Sequence, residues 1–475
     1  MTENAPLLAL LNQRLGQQNR RNFERAKAAG KKLREEFGQV ERLKYQRVLG
    51  YGGFGIVQLW HLFDQQGNFI TSAAIKYPTR ENHKETIEST RWEMEWMGTV
   101  FRNMEHFVQL VDIETDTREV DRLTNSRFVA NPILVMEALS KCTAYELISW
   151  TNDVRAKLTE VVGLQWSKND IFQYEPRLAF IPNRVLWRLF YCLVKGVTGM
   201  AWPANDGHGN LPPLTPTPIP EKIPPLDQYN NLPPQSTIIH FDLDPKNVLL
   251  GDRDFGEHEM IADFGLMIRW DDRLSHSIKR KRIRRGKPSW YAPEQKYPDR
   301  ATSWEHHVGQ ELNVWAIGLI MFNLMTLRHP SEPWAPYERL MLGRDSIGFV
   351  PVLTWGSFLM EPPPGVQIQG SPPFDELVAG YDFNLRQLIA RCMADATGDR
   401  PTISELSTDV LRGIVESDNR KYFWANYEQY APGNPGYNPL IPPQVESDEL
   451  VAKWYNDYFV EPPPNPDRNE GNWSE

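Results

Sequence analysis

The eight residues His240-Phe241-Asp242-Leu243-Asp244-Pro245-Lys246-Asn247 set an acid and a carboxamide five positions apart, in a loop ahead of the apolar run Val248-Leu249-Leu250. Phosphoryl transfer needs that spacing between a base that takes a hydroxyl proton and a ligand for magnesium. Position 244, where a phosphate-binding cation is expected, holds a second acid. Upstream, Leu49-Gly50-Tyr51-Gly52-Gly53-Phe54-Gly55-Ile56-Val57 has the spacing G-x-G-x-x-G. Missing β-carbons let backbone amides close over phosphates, although a glycine-rich hairpin turn reads the same way in isolation. Ala73-Ala74-Ile75-Lys76 follows, a strand ending in one cation with the reach for α- and β-phosphates.

A lysine held at phosphates needs an acid partner, and Glu93 and Glu95 both lie in range. Trp96, Met97 and Val100 follow Glu93 at plus three, four and seven, the stripe of a helix whose acid faces inward. From Glu95 the same offsets give Gly98, Thr99 and Arg102, so Glu93 is the expected partner. Leu134-Val135-Met136-Glu137-Ala138-Leu139 is an apolar strand running into a connector whose backbone suits an adenine edge, with Met136 behind it; a plain core strand fits the same residues. Asp254-Phe255-Gly256 and Asp263-Phe264-Gly265 both read D-F-G. The first is seven residues past Asn247 in a polar run, a turn; the second follows Met260-Ile261-Ala262, a short buried strand, which makes Asp263 the expected magnesium ligand.

These residues need elements to hold them. Residues 1–44 look helical and charge-rich, a solvated extension. Short strand-like runs dominate from 45 to about 139, with one helical segment near 84–104. Helical spacing then takes over, as in Val185, Leu186, Leu189, Phe190, Leu193, Val194 and Val197. Nine prolines between 203 and 236 mark a surface insertion, and 329–371 reads as a second irregular region. The tail, 416–475, mixes Pro, aromatics and acids. The whole is expected to be α+β, a small mostly-β lobe (45–139) before a larger helical one (140–415). Net charge −9 argues against a general nucleic-acid binder. Cys142, Cys192 and Cys392 have no metal spacing and read as reduced intracellular thiols. The amino-terminal apolar run lacks signal-peptide flanks, and Val314 to Leu327, broken by Asn323, is too short to span a bilayer and reads as a buried helix.

In order, Gly50 to Val57, Lys76, Asp242, Asn247 and Asp263 resemble the eukaryotic protein kinase family over about residues 45–415. Ala292-Pro293-Glu294 resembles the close of its activation segment, Val314 to Gly318 its central buried helix, and Arg400 the arginine paired with the acid at 294. The loop form and the Pro-rich insertion also resemble a divergent group of kinase-like proteins in filamentous fungi. The resemblance implies a two-lobed kinase-like fold and ATP and Mg2+ as cofactors. It implies a protein substrate offering a Ser or Thr hydroxyl, with no nucleic-acid or membrane partner and an oligomeric state left open. Asp242 would be the base, Asn247 and Asp263 the magnesium ligands, and Lys76, steadied by Glu93, the phosphate cation. The nucleotide would be bordered by Leu49, Gly50, Gly52, Gly53, Gly55, Val57 and Ala74, with Met136, Glu137 and Leu139 at its base.

Three departures bear on activity. Asp244 replaces a lysine that the family points at the transferred phosphate. A unit charge ~4 Å away at an effective dielectric near ~20 is worth roughly 4 kcal/mol before screening, or on the order of 1000-fold in rate. Lys287 in turn stands where the family has a threonine, so one expectation is a charge exchange that brings Lys287 to Asp242 and Asp244, with Lys246 as the rival cation and two unrelated changes as the alternative. Phe241 replaces an arginine that receives an activation-loop phosphate, and Asn313 replaces an acid, keeping an acceptor without its charge. The six cations from Lys279 to Arg285 read as a solvated face, with nuclear import or docking of acidic substrates as the minority readings. An active kinase and a nucleotide-binding pseudokinase scaffold are the two functions compatible with this set.

Overall fold

The computed structural model describes residues 5–52, 55–80, 83–111, 132–139, 141–163, 177–204, 218–253, 256–297, 308–328, 335–342, 348–361, 376–423, 440–443 and 445–463. Helices and sheets are mixed, and the chain divides into two compact units, the first centred on 1–138 and the second on 139–204 and 219–464. No helix among the described residues is long and apolar enough to cross a membrane.

The first unit is built on an antiparallel sheet in the order β1 (Leu43–Tyr51), β2 (Gly55–Phe63), β3 (Phe69–Pro78), β4 (Leu134–Glu137). Alternate β2 residues, Ile56, Gln58, Trp60 and Leu62, turn to one face and are buried there. What covers them corrects the expectation of a solvated extension. Helix α1 (Ala5–Phe37) lays Ala26, Ala29, Leu33 and Phe37 into the same core as Ile56, Trp60 and Ile75. The spacing 26, 29, 33, 37 is an apolar stripe of a helix, masked in the sequence by the charges on its other faces. Gly30 permits the close approach: a β-carbon there would come within 2.8 Å of Gln58 and Ile56, and Gln58 Nε2 donates to its carbonyl at 3.0 Å. Helix α2 (Lys84–Glu95) continues into a π-turn over Trp96–Val100.

The second unit is mainly helical: α3 (Ala144–Gly163), α4 (Asn183–Ala201), α5 (His276–Ile283), α6 (Gln310–Thr326), α7 (Phe383–Cys392), α8 (Ile403–Phe423) and α9 (Asp448–Tyr455). Almost every residue of α6 is buried, as expected of a helix apolar on all sides. Three short sheets serve it: β5 (Cys142–Thr143), β7 (Val248–Arg253) and β8 (Gly256–Ile261) form one, and β6 (Ile238–Ile239) with β9 (Ile268–Arg269) another. The third is a hairpin, β10 (Tyr337–Leu342) with β11 (Phe349–Thr354), inside the region expected to be irregular, where alternation in Tyr337–Leu342 buries Arg339 and Met341. Residue 415 falls inside α8. Part of the tail packs on this unit. Glu446 is buried and accepts from the backbone amides of Asn183 and Arg184 at 2.6 and 2.9 Å, satisfying open donors at the start of α4, and Tyr458 donates to the Leu178 carbonyl at 2.6 Å.

Candidate active site

In the first unit the glycine-rich stretch closes the β1–β2 hairpin, with the Gly52 amide donating to the Gly55 carbonyl at 2.8 Å. Gly53 and Phe54 lie outside the described residues. Leu49 and Gly50 are half-buried at the end of β1, where the register shifts, and Gly50 pairs with Val57. Val57 in turn pairs with Lys76. A β-carbon on Gly55 would stand 3.1 Å from Lys76 Cγ, so the glycine makes room for the lysine stem. Lys76 Nζ lies 2.6 Å from Glu93 Oε2, and both residues are buried. Trp96, Met97 and Val100 are buried on the same stretch, while Glu95 is exposed. Ala74 and Met136 are buried partners across β3 and β4. Glu137 departs from the expectation in one respect: its amide donates to the Gln109 carbonyl at 3.0 Å, because the chain at 109 runs alongside β4. That donor is already engaged; Leu139 belongs to the second unit.

The loop 240–247 belongs to the second unit. Asp244 has a local role invisible in the motif. Its extended backbone and side chain cap a 3-10 turn over Pro245–Asn247, Oδ1 accepting from the Lys246 amide at 2.8 Å. The turn aims Asn247 back at Asp242, where Nδ2 donates to the Asp242 carbonyl at 2.6 Å and lies 3.3 Å from its Oδ2. The Asn247 Nδ2 is thus turned to Asp242, and no hydrogen bond to its Oδ1 occurs among the described residues. Lys287 Nζ is 3.4 Å from Asp242 Oδ1 and ion-paired to Asp244. Lys246, the rival cation, instead sits 4.4 Å from the Tyr145 ring centroid. Burial raises the Asp242 pKa to about 6; Lys287 opposes that rise, and Asp263 and Asp244 add to it. For Lys287 burial pulls downward, but Asp244 and Asp242 outweigh it and leave the ammonium pKa above its usual value.

Asp263 follows β8 in the left-handed region at φ 60°, which turns it out of the strand direction into a 3-10 turn over Phe264–Leu266. Strands β7 and β8 pair from Val248 with Ile261 to Arg253 with Gly256; the decoy's Asp254 and Phe255 lie outside the described residues. His240 locks the loop to this strand. Its Nε2 is 3.1 Å from the Ala262 carbonyl, its Nδ1 accepts from the Asp242 amide at 3.3 Å, and burial holds its pKa at about 4, so the ring is neutral. Asn313 uses both ends of its carboxamide: Oδ1 accepts from the His240 amide at 3.1 Å and Nδ2 donates to the Ile238 carbonyl at 2.9 Å. A carboxylate there supplies no donor. Gln310, which the sequence did not single out, completes the clamp by donating to the Ser236 and Ile238 carbonyls at 2.7 and 3.1 Å and accepting from Asn313 at 2.8 Å; its position three residues before Asn313 on α6 was the available signal. Gly286 was also missed. Its φ of +88° and the Phe241 carbonyl, which leaves no room for a β-carbon, require glycine there.

Glu294 and Arg400 form a bidentate, fully buried pair with both N–O distances at 2.7 Å. A family model described as "Protein kinase domain" matches residues 234–410. The chain is 25% identical over 210 residues to a probable serine/threonine-protein kinase, roco6, of Dictyostelium discoideum, covering 44% of this chain and 8% of that protein. It is 30% identical over 107 residues to the serine/threonine-protein kinase CHK1 of Saccharomyces cerevisiae, covering 22% of this chain and 19% of that one. The matches thus span less than a fifth of either relative's length. The matched span contains the loop at Asp242, the turn at Asp263 and the Glu294–Arg400 pair together, and by that agreement of sequence with geometry residues 234–410 form a protein kinase domain.

Proposed function

We propose that this chain is an active serine/threonine protein kinase that transfers the terminal phosphoryl group of ATP to a hydroxyl of a protein substrate. The observation that carries the reading is the Asp242 carboxylate, held between the Asn247 amide and the Lys287 ammonium with a pKa near 6. Such a group is ionised at neutral pH yet basic enough to take a proton as charge develops on the attacking oxygen. Asp242 accepts the hydroxyl proton while the hydroxyl oxygen bonds to the terminal phosphorus. The bond from that phosphorus to its bridging oxygen breaks, and the electron pair leaves with ADP. Lys76, held by Glu93, is suited to the nucleotide's phosphates, and Lys287 supplies the cation that position 244 lacks. Asn247 Oδ1 and the Asp263 carboxylate are the oxygen donors that would hold magnesium, a cation that takes oxygen ligands. Bound there, the ion would offset the negative charge of the phosphates.

The test is transfer of radiolabelled phosphate from ATP to a generic protein substrate. Asp242→Asn should lower the rate by about 10²- to 10⁴-fold, the loss expected on removing a general base. Equal labelling by the two proteins would leave the nucleotide-binding scaffold as the function.

A further inference from the structure

From Lys279 to Lys287, seven of nine residues are Lys or Arg, in a chain whose net charge is −9. They are not equivalent. Lys279 is buried, 3.9 Å from Asp272, and Lys287 is taken by Asp242 and Asp244. Arg284 is exposed and Arg285 half-buried, and neither has an ion pair with a carboxylate among the described residues. Among the described residues the Arg285 guanidinium donates to the Leu266 carbonyl, at 3.4 Å. Burial, with the repulsion of nearby Arg282, holds its pKa below the usual value. A half-buried cation pressed by a second cation is relieved by an incoming anion.

The backbone beneath these two arginines is fixed. Tyr291 Oη donates to the Arg284 carbonyl, and Gln295 Nε2 donates to the Ile283 carbonyl at 2.8 Å and lies 3.4 Å from that of Arg285. The next residue, Gly286, packs against the carbonyl of Phe241, which precedes Asp242. Arg284 therefore stands three positions before the lysine that touches the base, a span of at most ~10 Å that an extended peptide covers in about three residues.

We propose that Arg284 and Arg285 select substrate segments that carry Asp or Glu within about three residues of the acceptor hydroxyl. The inference rests on Asp242 marking where that hydroxyl binds. It assigns the pair to substrate choice, with a carboxylate on the peptide replacing the counter-ion the arginines lack, and gives Arg285 the deeper of two contacts.

The test uses the full chain and two short labelled peptides with one serine, flanked in one by Glu and in the other by Gln. Fluorescence anisotropy, which needs no ATP, should show the Glu peptide binding on the order of tenfold more tightly, with the difference shrinking as salt rises. The double variant Arg284→Gln/Arg285→Gln should lose that preference, raising KM for the Glu peptide while leaving kcat and the Gln peptide unchanged. If the double variant does not fold, Arg284→Gln alone, at an exposed position, carries the same expectation. Equal affinity of the native chain for both peptides would overturn the proposal. So would a preference that survives the substitutions, or a single-stranded oligonucleotide that displaces the Glu peptide more effectively than unlabelled Glu peptide does. Absent phosphate transfer with the Glu preference intact would count against the catalytic reading alone.

Discussion

At Asp242 three influences compete. Burial and the neighbouring acids Asp263 and Asp244 hold the proton on, while Lys287 draws it off, leaving a pKa of about 6. A general base works ionised, so kcat/KM should climb as pH rises through about 6 and then level. In Lys287→Ala the one opposing cation is gone, so the acid limb should move to higher pH. The plateau should also fall, on the order of ten- to a hundredfold, short of the unscreened Coulomb figure because the lysine side chain is half-exposed. Lys287→Arg should restore much of both. A pH profile of the alanine variant that overlays the native one would remove Lys287 from the site. The sequence suggested this pairing only by contrast between two unusual positions. It did not show why an acid stands at 244, since capping depends on a backbone angle that the motif does not display.

Among the elements, the short helix over Pro293–Lys296 is tied to the turn before α8 by Glu294 and Arg400. Arg400 also donates to the Ala394 and Glu311 carbonyls at 3.0 Å, so one guanidinium joins three segments. Glu294→Ala would leave a buried cation without its carboxylate, and a loss of about 3–5 kcal/mol in unfolding free energy is expected, measured by denaturant titration. A change under about 1 kcal/mol, the worth of an exposed pair, would mean that water reaches the arginine. Both residues could be identified from the motif, because A-P-E and the later arginine keep a fixed order. Asn313 was marked in the same way as an acceptor on α6, but the part of Gln310 in the clamp was not, because its partners are two backbone carbonyls and Asn313 itself.

Over the whole molecule, α1 is the largest revision. Charge at Arg20, Arg21, Lys31, Lys32, Glu35 and Glu36 suggested a solvated extension, yet the helix closes the core of the first unit, with the Phe37 ring 6.1 Å from that of Trp60. Phe37→Ala should cost about 3–5 kcal/mol by opening a cavity in that core, read as a lowered midpoint of unfolding; an unchanged midpoint would show that α1 contributes no core. The tail shows the same limit of sequence reasoning, since Glu446 and Tyr458 find their partners on α4 and at Leu178.

The sequence by itself determined the order of the chemical groups: a glycine hairpin, a strand lysine, a base and a carboxamide five apart, and an acid after a short strand. Those signals are local, carried by spacing and by the period of strand or helix. Only the tertiary structure decided which groups meet. Helical spacing had already marked Glu93 for Lys76; the tertiary structure turned Lys246 away to Tyr145, brought Lys287 across 43 residues to Asp244, and folded α1 into a core. Such contacts are set by packing between segments distant in the chain, and no local pattern specifies them.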